Sequence, residues 1–181
     1  MCGRLDVRVT EDDALYLRAR DLRIETRTPT PAQQIPLVTR EESTQAVWGW
    51  VKRDGKLYVH ARAETAATVY PWSSAWLTSR GVVPVAGWWE GSWHVTGAGM
   101  HLAVLTRLSE HGLRVVVLTQ EPGALGNRIE RLPIPLTKQG TASWLAGGSL
   151  DDQVRSLTMV SEARNGPRQT SLFDDDVGTG R

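Results

Sequence analysis

The stretch QAVWGWVKRDGKLYVHA, residues 45–61, decides the fold class. Two runs rich in Val, Trp and Tyr, Gln45–Val51 and Lys56–Ala61, flank Asp54-Gly55. An Asp-Gly pair supplies the positive φ angles that a tight hairpin turn needs, so the spacing predicts a β-hairpin. Working outward, Ile35–Thr39 precedes it as another strand, after the proline-punctuated turn or extended segment Thr28–Pro36. Val82–Trp89, His101–Arg107 and Leu113–Thr119 are further strands on the same criteria. Short helices are expected at Glu11–Arg20, with Thr10 as N-cap, and at residues 70–79, carrying Trp72 and Trp76. Thr141–Leu145 and Leu150–Ser156 are weaker helical segments. Strands do not alternate regularly with helices, which points to an α+β domain on a curved, mostly antiparallel, barrel-like sheet with a few short helices.

The chain has 181 residues, with 40% hydrophobic and 23% charged residues, as expected of one globular domain. No apolar run approaches the roughly 20 residues of a membrane span, and residues 1–13 carry acids without an apolar stretch, so no signal peptide is expected. The expectation is a cytoplasmic monomer working at the nucleoid or replication fork, with no membrane partner. Net charge is only +1. The cations are nearly all arginine, which suits phosphate contact but equally reflects a GC-rich coding sequence. The eight tryptophans serve either a core or base stacking. A single cysteine excludes an intramolecular disulfide, and no His/Cys/Asp cluster has metal-ligand spacing; neither metal nor cofactor is expected.

That cysteine is residue 2. Methionine aminopeptidases remove Met1 before a small residue, leaving Cys2 with a free α-amine beside its thiol. The amine, with a pKa of about 7.7–8.0, attacks aldehydes to give a Schiff base. The thiol then closes onto the imine carbon to form a five-membered thiazolidine, aided by being intramolecular.

MCGR (1–4), HARAETAAT (60–68) and VPVAGWWEG (83–91) resemble the SRAP (SOS response-associated peptidase) family of abasic-site shields. TPTPAQQIPLV (28–38), VWGW (47–50), VVVLTQEPG (115–123) with IERLPIPL (129–136), and MVSEARN (159–165) resemble its other blocks in the same order. The resemblance covers residues 1–165. It implies an α+β fold with a groove for single-stranded DNA and a thiazolidine crosslink between Cys2 and the opened sugar of an abasic site. By the same resemblance, Glu90 is the active-site acid that helps open the sugar ring. Arg4 and Arg62 contact phosphate, and Trp48 lines the groove or packs in the core.

Two positions depart from the family. His60 stands where the family has Asn, and Ile129 stands where it has a late histidine that assists Schiff-base chemistry. The catalytic set is therefore incomplete. Either His60 takes over the lost proton transfer or both changes are drift. The alternative function is non-covalent single-stranded DNA binding, or clamp binding, by a degenerate site of phage origin.

Residues 166–181 turn polar and acidic, and a flexible tail is expected there. Within it QTSLF (169–173) resembles the peptide by which bacterial repair proteins bind the sliding clamp. Leu172 and Phe173 would be apolar anchors, with Gln169 making polar contacts. Phe173 is the only phenylalanine in the chain.

Overall fold

A computed structural model describes residues 2–17, 23–123, 129–151, 153 and 157–161. The first third runs β1 (Arg4–Val9), α1 (Glu11–Tyr16), β2 (Glu25–Arg27), β3 (Gln34–Val38), β4 (Ser43–Trp48), β5 (Trp50–Val51), β6 (Leu57–Tyr58) and β7 (His60–Arg62). Next come α2 (Ala63–Ala66), α3 (Trp72–Thr78) and the long strands β8 (Arg80–Glu90), β9 (Trp93–Ser109) and β10 (Gly112–Gln120). The described chain closes with β11 (Leu132–Pro133), β12 (Pro135–Leu136), α4 (Lys138–Leu145) and β13 (Thr158–Ser161).

The hydrogen-bonded path β9-β10-β4-β3-β8 returns to β9 through the β8–β9 ladder, so these five strands form a closed barrel. Closure leaves no unpaired edge among them. Six other strands attach to this ring, β1 and β2 beyond β8, β7 and β11 on β10, and β12 and β13 on β9, while β5 and β6 pair with each other as a separate two-stranded sheet. Pairings are antiparallel except β10 with β4 and β10 with β7. The α+β, mostly antiparallel expectation is borne out.

Continuous apolar runs, buried on both faces of the sheet, make the core. Leu5, Val7, Ile35, Leu37, Val82, Val83, Leu102, Val104, Val115 and Val117 are all completely buried. Trp48, Trp88 and Trp144 are fully buried with them, and Trp50 and Trp72 nearly so, so most of the tryptophans are core. Where β8 meets β9 the register shifts between Val85 and Gly87. A Cβ on Gly87 would lie 2.2 Å from the Val95 carbonyl oxygen, so only glycine allows the backbones this close.

The Asp54-Gly55 hairpin is present: Trp50 faces Tyr58 and Val51 faces Leu57 across it. The two runs that flank it, however, are each interrupted. Gly49, at φ 115°, breaks Gln45–Val51 into β4 and β5, because its N–H turns to the Val115 carbonyl at 2.7 Å. Lys56–Ala61 likewise divides into β6 and β7. Thr10 caps α1 as expected, accepting from the Asp13 N–H while Asp13 accepts from the Thr10 N–H. In Leu150–Ser156 the described residues are not helical; Gln153 instead bridges to Leu136.

Candidate active site

β1 runs antiparallel to β8 with Arg4 opposite Trp89, so the residues preceding Arg4 lie beside the end of β8, where Glu90 sits. The Gly3 N–H donates to the Trp89 carbonyl at 3.3 Å and extends the ladder toward Cys2. On another side β7 places His60 opposite Val117 of β10. The fold thereby brings together Cys2, His60 and Glu90, residues 58 and 30 positions apart along the chain. The Cys2 backbone joins them: its N–H donates to the Glu90 carboxylate, and its carbonyl accepts from the His60 ring.

The site is buried. Cys2 is 2% exposed and Glu90 4%. Burial pushes the Cys2 thiol far above its ordinary value, and the negative charge of Glu90 adds to this, so the sulfur keeps its proton at neutral pH. Its S–H donates to the Arg4 carbonyl at 3.7 Å. Burial also raises the Glu90 carboxyl above the usual range, and the nearby charge of Glu130 adds to the rise. Glu90 is therefore a better-retained proton source near neutrality than an exposed glutamate. Burial drives His60 down to about 4, so its imidazole is neutral through the physiological range. Its Nε2 is enclosed and has no hydrogen-bond partner among the described residues. At neutral pH His60 is thus a weak base and carries no positive charge for a phosphate.

The remaining expected residues divide by exposure. Arg62 is exposed at the junction of β7 and α2. Arg4 lays its guanidinium over the Trp89 ring, 3.9 Å from the centroid. Trp89 in turn stacks on His94 at 4.2 Å, and His94 lies 3.3 Å from Asp6. This four-membered row crosses β1, β8 and β9; its register follows from Arg4, Trp89 and His94 being direct cross-strand partners. Trp48 presents no ring face to solvent. It is fully buried, donates from Nε1 to the Val59 carbonyl at 3.0 Å, and packs edge-on to His60 at 6.2 Å. Its place is the wall behind His60.

Ile129 belongs to the core at 5% exposure. Its neighbour Arg131 donates to the Glu64 carboxylate at 2.6 Å and to the Thr119 carbonyl at 2.9 Å, tying the late segment to α2 and β10. Glu130, which sequence reading passed over, is the second carboxylate near Glu90. His101 was also given no role. Its ring bridges Asp13 and Thr141, at 3.0 Å each, with Thr141 fully buried and His101 1% exposed. This row pins α1 and α4 to β9 and is sealed from substrate. Gln169, Leu172 and Phe173 lie outside the described residues, as does the rest of the expected tail. No helix among the described residues is long and apolar enough to cross a membrane.

Comparison with curated protein sequences finds no match. Among solved structures, a protein from Bordetella bronchiseptica superposes with a TM-score of 0.69 at 16% identity, covering 88% of this chain and 99% of the other. A phage-related protein from the same organism gives 0.65 at 21% identity, covering 88% and 94%. A protein from Bacteroides thetaiotaomicron gives 0.68 at 17% identity, covering 88% and 91%. These likenesses show a shared fold. The family described as SOS response associated peptidase (SRAP) matches residues 1–166, nearly the whole described barrel and its cysteine pocket. The chain therefore belongs to the SRAP family, which is associated with the DNA damage response.

Proposed function

We propose that the protein binds single-stranded DNA and, once Met1 is removed, forms a covalent thiazolidine between Cys2 and the aldehyde of an abasic site, shielding the lesion during replication. The observation that carries this reading is the placement of the Cys2 backbone against Glu90 and His60. The nitrogen that becomes the α-amine is the atom that already donates to the Glu90 carboxylate.

The chemistry follows in balanced steps. Glu90, in its protonated form, gives a proton to the ring oxygen of the closed sugar, and the hydroxyl proton at the anomeric carbon leaves to solvent, exposing the aldehyde. The Cys2 amine adds to that carbon, and loss of one water gives the imine. The thiol sulfur then bonds to the imine carbon, and its proton passes to nitrogen, directly or through Glu90 or neutral His60. Nothing is oxidised or reduced, and one water is released overall. Arg4 and Arg62 hold the flanking phosphates.

A second reading is favoured by the deep burial of the thiol and by isoleucine at position 129. It is a non-covalent single-stranded DNA binder. Incubation with abasic single-stranded DNA separates the two. Crosslinking predicts an adduct that survives heat and denaturant without borohydride, with Cys2→Ala giving only a borohydride-trapped species. Equal heat-stable yields from both proteins reject the thiazolidine, and a salt-sensitive shift without any adduct supports the second reading. The QTSLF segment supports a sliding-clamp partner in addition, through Gln169, Leu172 and Phe173.

A further inference from the structure

Away from the cysteine pocket, a groove of about 990 Å³ lies between the β5–β6 hairpin and the β9–β10 turn. None of Cys2, Arg4, His60, Arg62 or Glu90 lines it. One wall carries Trp50, Lys52, Arg53 and Tyr58, the other Arg107 and Arg114, and Tyr70 stands at the rim. A second, smaller depression shares Trp50, Tyr70 and Arg107 with it, so the groove continues past Tyr70 toward α3.

Its chemistry is specific. Four cations line it against two carboxylates, Asp54 and Glu110. Asp54 accepts from the Lys56 N–H at 3.1 Å, and the exposed Glu110 lies 3.4 Å from the His111 ring. Aromatic rings interleave with the cations. The Lys52 ammonium sits 4.2 Å from the Tyr58 ring centroid, and the Arg107 guanidinium 5.6 Å from that of Trp50. Tyr70 is 80% exposed, an unusual position for so large a ring. Trp50 is 3% exposed, yet its indole N–H has no hydrogen-bond partner among the described residues. The Arg114 Nε, enclosed beside it on the groove wall, likewise has none, although that side chain is anchored by donation to the Gly49 carbonyl at 3.0 Å.

From these observations we infer that the groove is a second binding site for single-stranded DNA, which stacks a base on Tyr70 and sets phosphates against Arg53, Arg107 and Lys52. Exposed aromatics interleaved with cations are the elements of sequence-tolerant single-strand binding. An acidic peptide would use the cations but would leave the rings idle. The inference rests on the proposed single-stranded DNA binding but not on any crosslinking, and it gives the strand a hold separate from the lesion pocket.

The test uses full-length protein carrying Cys2→Ala, so that only non-covalent binding is read, and a fluorescent undamaged oligothymidylate. Arg53 and Arg107 are exposed, so replacing them with alanine spares the fold. Each lost phosphate contact should lower the salt slope of log affinity by about 0.7. Tyr70→Ala should weaken binding about 5- to 150-fold, the span of one base stack, and Tyr70→Phe should restore it. Parental affinity and slope in both Arg53→Ala/Arg107→Ala and Tyr70→Ala would overturn the site. Loss with the arginines but none with Tyr70→Ala would also overturn it, in favour of a plain anion surface. Heat-stable adduct formation by the wild-type protein, with Cys2 intact, on abasic DNA is scored separately. Groove variants that lose binding while the wild type makes no adduct uphold the groove and reject the Cys2 chemistry. An adduct from the wild type while the groove variants bind normally does the reverse.

Discussion

Replacing Asp13 with asparagine should lower stability at pH 7 by about 2 kcal/mol or more, and the charge-linked part of the loss should vanish in acid. Burial alone would raise the Asp13 carboxyl, but hydrogen bonds from the His101 ring and from the Thr10 hydroxyl and N–H outweigh it and hold the group at about 2 rather than 3.8. At 1.36 kcal/mol for each pH decade, that gap gives roughly 2 kcal/mol. The side chain is 13% exposed, so solvent screens it little. Because the folded value is depressed, the contribution is fully present above about pH 4 and is lost as pH falls through about 2. Asparagine has a single oxygen, which serves either the Thr10 N–H and hydroxyl at Oδ2 or the His101 ring at Oδ1 but not both, so the variant also loses a hydrogen bond whose contribution does not depend on the Asp13 charge. Denaturant titrations of both proteins at several values between pH 7 and about 2.5 give the free energies, provided the m-value is unchanged. The gap between wild type and variant should narrow as the pH drops. Parallel curves, or a variant as stable as wild type at pH 7, would refute the assignment of the Asp13–His101–Thr141 row as the tie holding α1 and α4 to β9.

Glu90→Gln should slow adduct formation about 10²–10⁴-fold in single-turnover assays while leaving the affinity for undamaged DNA nearly unchanged. In the wild type the rate should fall as the amine protonates on lowering the pH and as Glu90 ionises on raising it; the variant should lack the dependence on Glu90 ionisation. His60→Asn should slow the reaction if His60 replaces the family histidine, and with the ring held at about 4 the wild-type profile above about pH 5 should show no inflection from it. Arg4→Ala and Arg62→Ala should each reduce the salt slope for single-stranded DNA by about 0.7, measured by anisotropy. A peptide spanning Arg168–Asp176 should compete for the sliding clamp's peptide pocket, and alanine at both Leu172 and Phe173 should abolish clamp pull-down without touching crosslinking.

What sequence reading reached, and what it missed, follows the range of the interactions. Asp54-Gly55 announced its hairpin because the turn chemistry lies in two adjacent residues. The Thr10 cap was legible for the same reason. The break at Gly49 was not, because it depends on a carbonyl at Val115, brought near only when β4 and β10 pair. β9 was read as His101–Arg107 but spans Trp93–Ser109, since its glycine-containing first half lacks apolar alternation and owes its extension to β8 and β13. Cys2 and Glu90 stood out through motif resemblance. His101 could not, because its partners lie 88 and 40 residues away. Trp48 carried both readings equally, and burial decides its position in this structure. The row from Arg4 through Trp89 and His94 to Asp6 emerges only from a three-strand register.

The β5–β6 hairpin pairs only with itself, as a two-stranded sheet outside the ring. Amide hydrogens in β8, β9 and β10 can exchange only when a ring held on both sides opens, and they should report the global unfolding free energy. Those of the Trp50–Val51 and Leu57–Tyr58 ladder need only local fluctuation and should exchange faster. One wall of the basic groove is thereby free to adjust its width to whatever lies in it, while the ring strand that carries Glu90 stays locked.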